Sequence, residues 1–407
     1  MSDISHSDHA GLPDARVGPG ARMVLDMLSA RWEIGTLLIR LPNGSTRVLK
    51  GSTPGPSGEL HIRDFRFARR VLAGGDIGFA EGYMAGEWDT PDLSNLLEVL
   101  ADNHAGIQRL FSGGGVVRFA NRLLHGLRRN SRSGSRKNIH AHYDLGNSFY
   151  SQWLDETMTY SSAIFEKRSE PLPAAQTRKY AELARAMDLS SGQSVLEIGC
   201  GWGGFAEFAA REVGARVTGI TISREQYEFA SARLQREGLN ERAEVRLIDY
   251  RDVEGRFDRV ASIEMFEAVG ESYWPTYFGK IREVLGEGGR AALQIITIRD
   301  DLFESYRQRV DFIQRYIFPG GMLPSEKALA PVVAAAGLDW THTRRFGESY
   351  ARTLSLWDQS FERAWDRIRP LGFDERFRKL WRFYLSYCEA GFRTGRTNVI
   401  QMGLSAN

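Results

Sequence analysis

Two cysteines in 407 residues, Cys200 and Cys388, cannot build a framework of bridges, and their scarcity suits a reducing compartment. No run of about eighteen apolar residues occurs, so no segment is expected to span a bilayer. The N-terminus lacks a basic start followed by an apolar stretch, which argues against a secretory signal. No histidine or cysteine cluster has metal-ligand spacing, so no metal is expected. A cytoplasmic address follows as the expectation. Acid is also missing locally: between Asn103 and Tyr143 stand Arg109, Arg118, Arg122, Arg128, Arg129, Arg132, Arg136 and Lys137 without one Asp or Glu. Of the 53 basic residues the other 45 meet 51 acidic ones, so a basic segment sits on an otherwise acidic chain despite a net charge of only +2.

What is present reads as globular. Hydrophobic residues make up 42% and charged residues 26%, and the length calls for two cores of unequal size. Residues 1–20 mix Ser, Asp, His, Gly and Pro without periodicity and are expected to be a disordered tail. Residues 21–112 read as a small α+β domain. In it Thr36 to Leu49 forms a hairpin around Pro42-Asn43-Gly44-Ser45, Glu59 to Phe67 a further strand, and the stretch to Asn103 helical pieces broken by Gly74-Gly75, Gly78, Gly82 and Gly86. Residues 113–137 are rich in Gly, Ser and Arg and read as a basic linker, with Val116 to Arg129 a short basic helix.

From residue 138 to 407 short apolar runs alternate with helical patterns: Ser194–Ile198, Arg216–Ile220, Ala243–Ile248, Phe257–Ile263 and Arg290–Ile296. Tyr180, Leu183, Ala184 and Met187 recur at helical spacing before the first strand, as do Tyr277, Ile281, Val284 and Leu285 before the fifth. Such alternation predicts an α/β fold with a doubly wound, Rossmann-like sheet, and ligands at the carboxyl ends of its strands. The first strand runs into Glu197-Ile-Gly-Cys-Gly-Trp-Gly203. Glycines at 199, 201 and 203 allow a tight turn and close approach of a ligand. Glu197, two residues before the first glycine, fits S-adenosylmethionine (SAM) better than a dinucleotide, which would want an acid at the end of the second strand. That strand ends Gly219-Ile-Thr-Ile-Ser223 without one. Thr221 and Gln226 suit a ribose or methionyl group, while Ser223 and Gln226 equally suit a capping box; the two roles are compatible.

Seven ordered motifs then carry a resemblance: His142-Tyr-Asp-Leu-Gly-Asn147, Met158-Thr-Tyr-Ser161, Glu197 to Gly203, Gly219 to Ser223, Met265-Phe-Glu267, Ile317-Phe-Pro-Gly-Gly-Met-Leu-Pro-Ser325 and Phe346-Gly-Glu-Ser-Tyr350. Residues 138 to the C-terminus resemble the cyclopropane fatty-acid synthases and mycolic-acid methyltransferases, and the N-terminal half is similar to the small lipid-binding-like domain of the phospholipid-acting members. The resemblance implies a SAM-dependent methyltransferase whose extra helices, inserted after the fifth strand, cover an acyl channel. It implies cofactor contacts from Tyr160, Ser161, Ile222, Tyr250 and Ile263 beside those already named. The substrate it implies is an unsaturated phospholipid acyl chain, methylated on its double bond, and the leading expectation for the product is a cyclopropane fatty acid. Aromatic faces would steady the resulting cation, with Tyr160, Phe266, Trp274, Tyr277, Phe312, Tyr316 and Tyr350 as candidates.

In ring-forming members a bound bicarbonate, gripped by a glutamate, a histidine, a tyrosine and backbone near a cysteine, removes a proton from the transferred methyl. Glu267 and Tyr350 match two of those positions. Ser162 stands where the cysteine is expected, Gln294 where the histidine is, and Ala268 where many relatives have another histidine. Gln294 can donate a hydrogen bond to an anion but carries no charge. Bicarbonate is thereby weakened, and loss of the proton elsewhere would leave a methyl- or methylene-branched chain or a methylated diene in place of a cyclopropane. Cys388 matches a cysteine lining the family's site and needs no thiolate there, and Cys200 is at most a cofactor neighbour. The segment Arg118–Lys137, with Val116, Val117, Leu123, Leu124 and Leu127, suits an anionic membrane surface; a solvated linker is the plain alternative, and with Phe119 its sole aromatic it does not suit nucleic acid. An inactive lipid-binding protein and a methyltransferase of soluble small molecules stay as competing classes, and a homodimer is compatible with the sequence.

Overall fold

The computed structural model describes residues 25, 26, 28–104, 106, 107 and 145–406. The expected tail, basic linker and His142-Tyr143-Asp144 lie outside the described residues. The chain divides into two compact units, residues 1–115 and 116–407.

In the first unit β1 (Ile34–Arg40) and β2 (Thr46–Lys50) form the expected hairpin. Its turn works because Gly44 takes φ 84° and the Asn43 side chain accepts from Ser45 N at 3.0 Å. β3 (Thr53–Ile62) lies parallel to β1. It starts and stops earlier than the strand expected at Glu59 to Phe67, because the Asp64 carboxylate accepts from Arg66 N and turns the chain into α1 (Arg66–Met84). Of the expected glycine breaks, Gly75 is one: at φ 58° and ψ −129° it divides α1 into two helical pieces across a kink, while Gly78 and Gly82 do not interrupt it and Gly86 lies past its end. Gly78 is there for contact, since a Cβ would come within 1.9 Å of the Arg70 carbonyl oxygen. After β4 (Trp88–Asp89), Asp92 caps α2 (Leu93–Asp102). This helix lies on β3 where Gly58 leaves room, a Cβ there meeting Val99 at 2.8 Å. Sheet order is β2-β1-β3-β4.

The second unit opens with a single turn, α3 (Asn147–Tyr150), and α4 (Leu172–Ala186). It continues through β5 (Ser194–Ile198), α5 (Gly204–Phe208), β6 (Arg216–Thr221), α6 (Arg224–Arg236), β7 (Ala243–Leu247), β8 (Phe257–Ile263), α7 (Trp274–Val284) and β9 (Leu285–Ile298). These five strands are mutually parallel. Then follow α8 (Asp300–Tyr306), α9 (Phe312–Tyr316), α10 (Glu326–Ala335), β10 (Leu338–Arg345), α11 (Gly347–Ile368), α12 (Glu375–Arg393) and β11 (Thr397–Ala406). The seven strands are ordered β10-β11-β9-β8-β5-β6-β7, with β11 antiparallel to both neighbours. The order turns back between β5 and β8, and there the carboxyl ends open a crevice.

Helices were expected to be inserted after the fifth strand, and α8 and α9 are. The longest ones, α11 and α12, follow it as well, between β10 and β11, and pack on each other. They bring Trp357, Phe361, Trp381 and Tyr384 onto Phe149, Tyr150 and Trp153 in a buried aromatic cluster. Phe266, Trp274 and Tyr277, three of the aromatic candidates, belong to the main core under the sheet.

The N-terminal unit's core turns on Trp88, which is fully buried, stacks on Phe79 at 4.2 Å and donates its indole N–H to the Phe79 carbonyl at 2.8 Å. Trp88→Ala is expected to lower the stability of this unit by about 3–5 kcal/mol. Chemical denaturation followed by hydrogen exchange in β3 and α1 measures it.

Candidate active site

At the end of β5 the chain turns with Gly199, Gly201 and Gly203 at φ 82°, 53° and 83°. Only glycine takes such a sequence of angles without strain. Gly199 and Gly203 are also close-packed: a Cβ on them would come 2.7 Å from Met265 Cγ and 3.1 Å from Ala230 Cβ. Gly201 differs, because a Cβ there meets nothing within 4 Å. Below the turn Glu197 is buried, its carboxyl is pushed well above the usual range by burial, and its Oε2 has no partner. An open glycine loop beside an unpaired buried acceptor fits a ligand bearing hydroxyl or ammonium donors, as SAM does.

After β6, Thr221 donates its hydroxyl to Gln226 Oε1 at 2.8 Å, Ser223 N donates to Thr221 Oγ1 at 3.1 Å, and Ser223 Oγ caps α6 through Gln226 N. The Gln226 side chain therefore meets Thr221 and does not complete a capping box with the Ser223 backbone. Ile222 beside them is half-buried. Tyr250 follows β7 with its ring 5.4 Å from the Arg251 guanidinium, which Asp249 holds through two oxygens. Ile263 ends β8 in register with Gln294.

The residue after Ile263 is the centre of the site. Glu264 has φ 49°, a left-handed conformation that costs a non-glycine residue about 1–3 kcal/mol. Its Oε1 accepts from Ser162 N at 2.9 Å and from Gln294 Nε2 at 2.7 Å, and its Oε2 accepts from the Tyr350 hydroxyl at 2.6 Å. Gln294 is fixed in turn, because Gln401 donates to its Oε1 at 3.0 Å. Burial raises the Glu264 carboxyl, opposed by the Tyr350 and Gln294 hydrogen bonds and by the Lys179 charge. Lys179 is fully buried on α4, donates to Ser161 Oγ at 2.7 Å, and is lowered to about 7 by desolvation.

Three residues on, Glu267 accepts from Ile296 N through Oε1 at 2.5 Å, while its Oε2 is buried without a partner. Burial, then the neighbouring Glu264 charge, push it up to about 8. It is mostly a neutral acid at pH 7. Ser162, Gln294, Tyr350 and Glu267 thus come together at the ends of β8 and β9. The donors that the resemblance assigns to a bicarbonate (backbone near position 162, the side chain at 294, the phenol at 350) are engaged by Glu264, so bicarbonate does not fit this arrangement of donors.

Tyr160 lies one wall away. Its hydroxyl bonds that of Tyr384 at 2.7 Å, and its ring sits 5.2 Å from Trp357 and 5.7 Å from Trp153. Tyr350 stacks on Phe392 at 4.5 Å. Cys388, on α12, has its thiol held protonated by desolvation and lies close enough to Tyr350 and Tyr384 to influence both. Phe312 packs on Phe383 and Tyr387 of α12, and Tyr316 packs on Phe312. Cys200 is buried beneath Gly219, where a Cβ would come 3.0 Å from its own.

Glu264 and Lys179 are the residues that sequence reasoning did not single out. Signals existed for both. Glu264 stands between a strand and Met265-Phe-Glu267, three residues from another carboxylate; Lys179 shares the buried face of α4 with Gln176 and Leu183, where a cation has no reason to be unless it has partners.

A seven-stranded sheet with one antiparallel strand next to the edge, a glycine turn after its first parallel strand and a buried acceptor beneath define a SAM-dependent methyltransferase. The family described as mycolic acid cyclopropane synthetase matches residues 130–402. The chain is 40% identical over 368 residues to the tuberculostearic acid methyltransferase of Mycobacterium tuberculosis, covering 86% of this chain and 83% of the relative. To the cyclopropane-fatty-acyl-phospholipid synthase of Escherichia coli K12 it is 35% identical over 356 residues, 85% and 86% of the two chains. Among solved structures, the cyclopropane synthase MmaA2 from Mycobacterium tuberculosis superposes with a TM-score of 0.62 at 28% identity, covering 66% of this chain and 98% of that one. Mycolic acid cyclopropane synthase CmaA1, solved with SAH and CTAB, gives 0.63 at 28% identity with the same coverage. This chain belongs to the mycolic acid cyclopropane synthetase family.

Two outcomes test the site. Gly201→Val, which fills the open side of the glycine turn, is expected to weaken SAM binding at least about tenfold by titration calorimetry, or ~1.4 kcal/mol. For Glu267 the folded carboxyl titrates higher than the unfolded one, so the folded state holds a proton that the unfolded state has lost between pH 4.5 and about 8. Stability from this group is full at low pH and falls as pH rises through that window. Glu267→Gln should therefore gain on the wild type by up to about 1.4 kcal/mol for each pH unit between about 5 and 8, read from denaturant midpoints at each pH.

Proposed function

We propose that this enzyme transfers the methyl group of SAM to the cis double bond of an unsaturated acyl chain in a membrane phospholipid, and that its direct product is a methylene-branched or methylated unsaturated chain. The observation that carries this reading is the aromatic group of half-buried Tyr160 with buried Trp153 and Trp357, linked through Tyr350 to the carboxylate of Glu264. SAM, when bound, supplies an electrophilic methyl group on a positively charged sulfur. An isolated alkene is a weak nucleophile, so this chain's residues must hold it in line with that methyl and keep water away. Methyl transfer leaves positive charge on the neighbouring carbon of the acyl chain, and aromatic faces lower its energy without bonding to it.

The similarity to a tuberculostearic acid methyltransferase and the amide of Gln294, where the ring-forming pattern has a titratable imidazole, favour the branched outcome. A cyclopropane product is the second reading, supported by the similarity to the Escherichia coli synthase. The two differ in whether a hydride shifts within the acyl cation before a proton leaves. Access to the lipid belongs to the same proposal: the basic segment Arg118–Lys137 would meet anionic headgroups at the cytoplasmic face, at about 1 kcal/mol per basic residue near the surface.

Vesicles of a cis-monounsaturated phospholipid with part anionic lipid, incubated with SAM and protein, are expected to yield acyl chains one carbon heavier. Proton NMR should show olefinic methylene signals. High-field cyclopropane signals alone would replace the first reading by the second, and conversion of free soluble substrates but never of vesicles would end the phospholipid assignment. Activity should drop when salt is raised or anionic lipid omitted.

A further inference from the structure

We propose that Glu264 is this enzyme's built-in proton acceptor, its carboxylate standing where a bound bicarbonate would otherwise sit. The inference rests on the acyl-methylation reading above and adds the residue that completes it. A side-chain carboxylate and bicarbonate present the same planar O–C–O edge, so donors arranged for one can hold the other. Here the donors are already taken. Ser162 N–H, Gln294 Nε2 and the Tyr350 hydroxyl all converge on Glu264 at 2.9, 2.7 and 2.6 Å. Gln294 cannot turn its donor elsewhere, because its Oε1 is held by Gln401, whose Nε2 also donates to the Lys179 carbonyl at 3.0 Å. A second anion in this place would lack donors and would face the Glu264 charge in a buried setting.

The backbone adds an independent observation. Glu264 keeps a left-handed φ of 49° that glycine would adopt at no cost, and the next residue, Met265, packs against Gly199 of the cofactor turn. Strain of this kind persists where the side chain is needed. Glu267 is less suited to the role: it accepts one donor, the Ile296 N–H, where Glu264 accepts three that favour its ionised form, and burial pushes the Glu267 carboxyl up to about 8. Lys179, fully buried beside Ser161, is the nearby cation that favours ionised Glu264.

The step balances without any further reactant. The π electrons of the alkene form the bond to the methyl carbon as the carbon–sulfur bond breaks, its electron pair returning to sulfur and leaving the cation on the acyl chain. One C–H bond of the transferred methyl then breaks, with its proton going to a Glu264 oxygen. Its electron pair closes the three-membered ring, or forms the exocyclic double bond if a hydride has shifted first.

Three proteins test this: wild type, Glu264→Gln, and Glu264→Gly, the last opening the anion place with a residue suited to the backbone angle. Folding is checked by circular dichroism and SAM binding. Wild-type turnover on cis-unsaturated vesicles should be unchanged between carbon-dioxide-free buffer and added bicarbonate. Glu264→Gln should lose at least about 100-fold in turnover with no rescue. Glu264→Gly should lose as much and recover on addition of bicarbonate. Line broadening of 13C-bicarbonate in NMR should appear with Glu264→Gly and not with the wild type, a readout independent of any lipid product. Bicarbonate stimulation or binding in the wild type would overturn the proposal, as would near-full activity of Glu264→Gln. A wild type that forms no lipid product would count against the acyl-methylation reading, while the bicarbonate measurement would still decide who occupies the anion place.

Discussion

A carboxylate buried away from water must have its lone pairs answered by the protein, and at Glu264 that requirement ties four parts of the fold together. The oxygens reach the loop at Ser162, the strand β9 at Gln294 and the helix α11 at Tyr350, while Lys179 on α4 supplies charge. Losing one of these donors leaves a carboxylate oxygen short of a partner at a cost of about 1–3 kcal/mol. None of these segments can shift by an ångström without that penalty. The position of α11 therefore follows from the chemistry at the end of β8 as much as from apolar packing, and the aromatic wall that α11 carries is placed with it. A reacting site that tolerates little misplacement gains directly from such cross-bracing.

Much of this was legible in the sequence. Five short apolar runs alternating with helices fixed a parallel sheet, and the switch in strand order follows from the rules for such sheets. The glycines at 199, 201 and 203 could be read because positive φ and close contact leave glycine no substitute. Seven ordered motifs supplied the family. The edge of the sheet was not legible. β10 carries charged residues such as Arg344 and Arg345 because it is an edge strand, and β11 interrupts a buried apolar run with Gln401, which meets the buried polar groups of the site. Their pattern does not look like the buried parallel strands before them. Gly78 in α1 read as a breaker and proved to be a contact, because sequence reports the absence of a side chain without its reason.

Glu264 escaped notice for a different cause. A carboxylate after a strand is commonplace, and what makes this one distinctive is the convergence of residues 162, 294 and 350, which are far apart along the chain. No local pattern encodes that meeting. Lys179 was closer to being readable, since a cation on the apolar stripe of an amphipathic helix contradicts the stripe and asks for buried partners.

The chemistry imposes one more condition on the arrangement. A carbocation beside a free carboxylate oxygen would collapse to an ester, and the enzyme would alkylate itself. Aromatic rings avoid this because their attraction is spread over a face with no lone pair to donate. Glu264 has to be a base without becoming a nucleophile toward the acyl carbon. Donors on both oxygens, with Gln294 locked by Gln401 behind it, restrict the carboxylate to a fixed orientation and reduce the electron density it can offer. Proton transfer needs only a short hydrogen-bonded approach to a methyl hydrogen, whereas ester formation needs the oxygen to advance onto carbon. Rigid bracing separates two reactions that solution chemistry would not, and it accounts for spending three donors on one buried side chain.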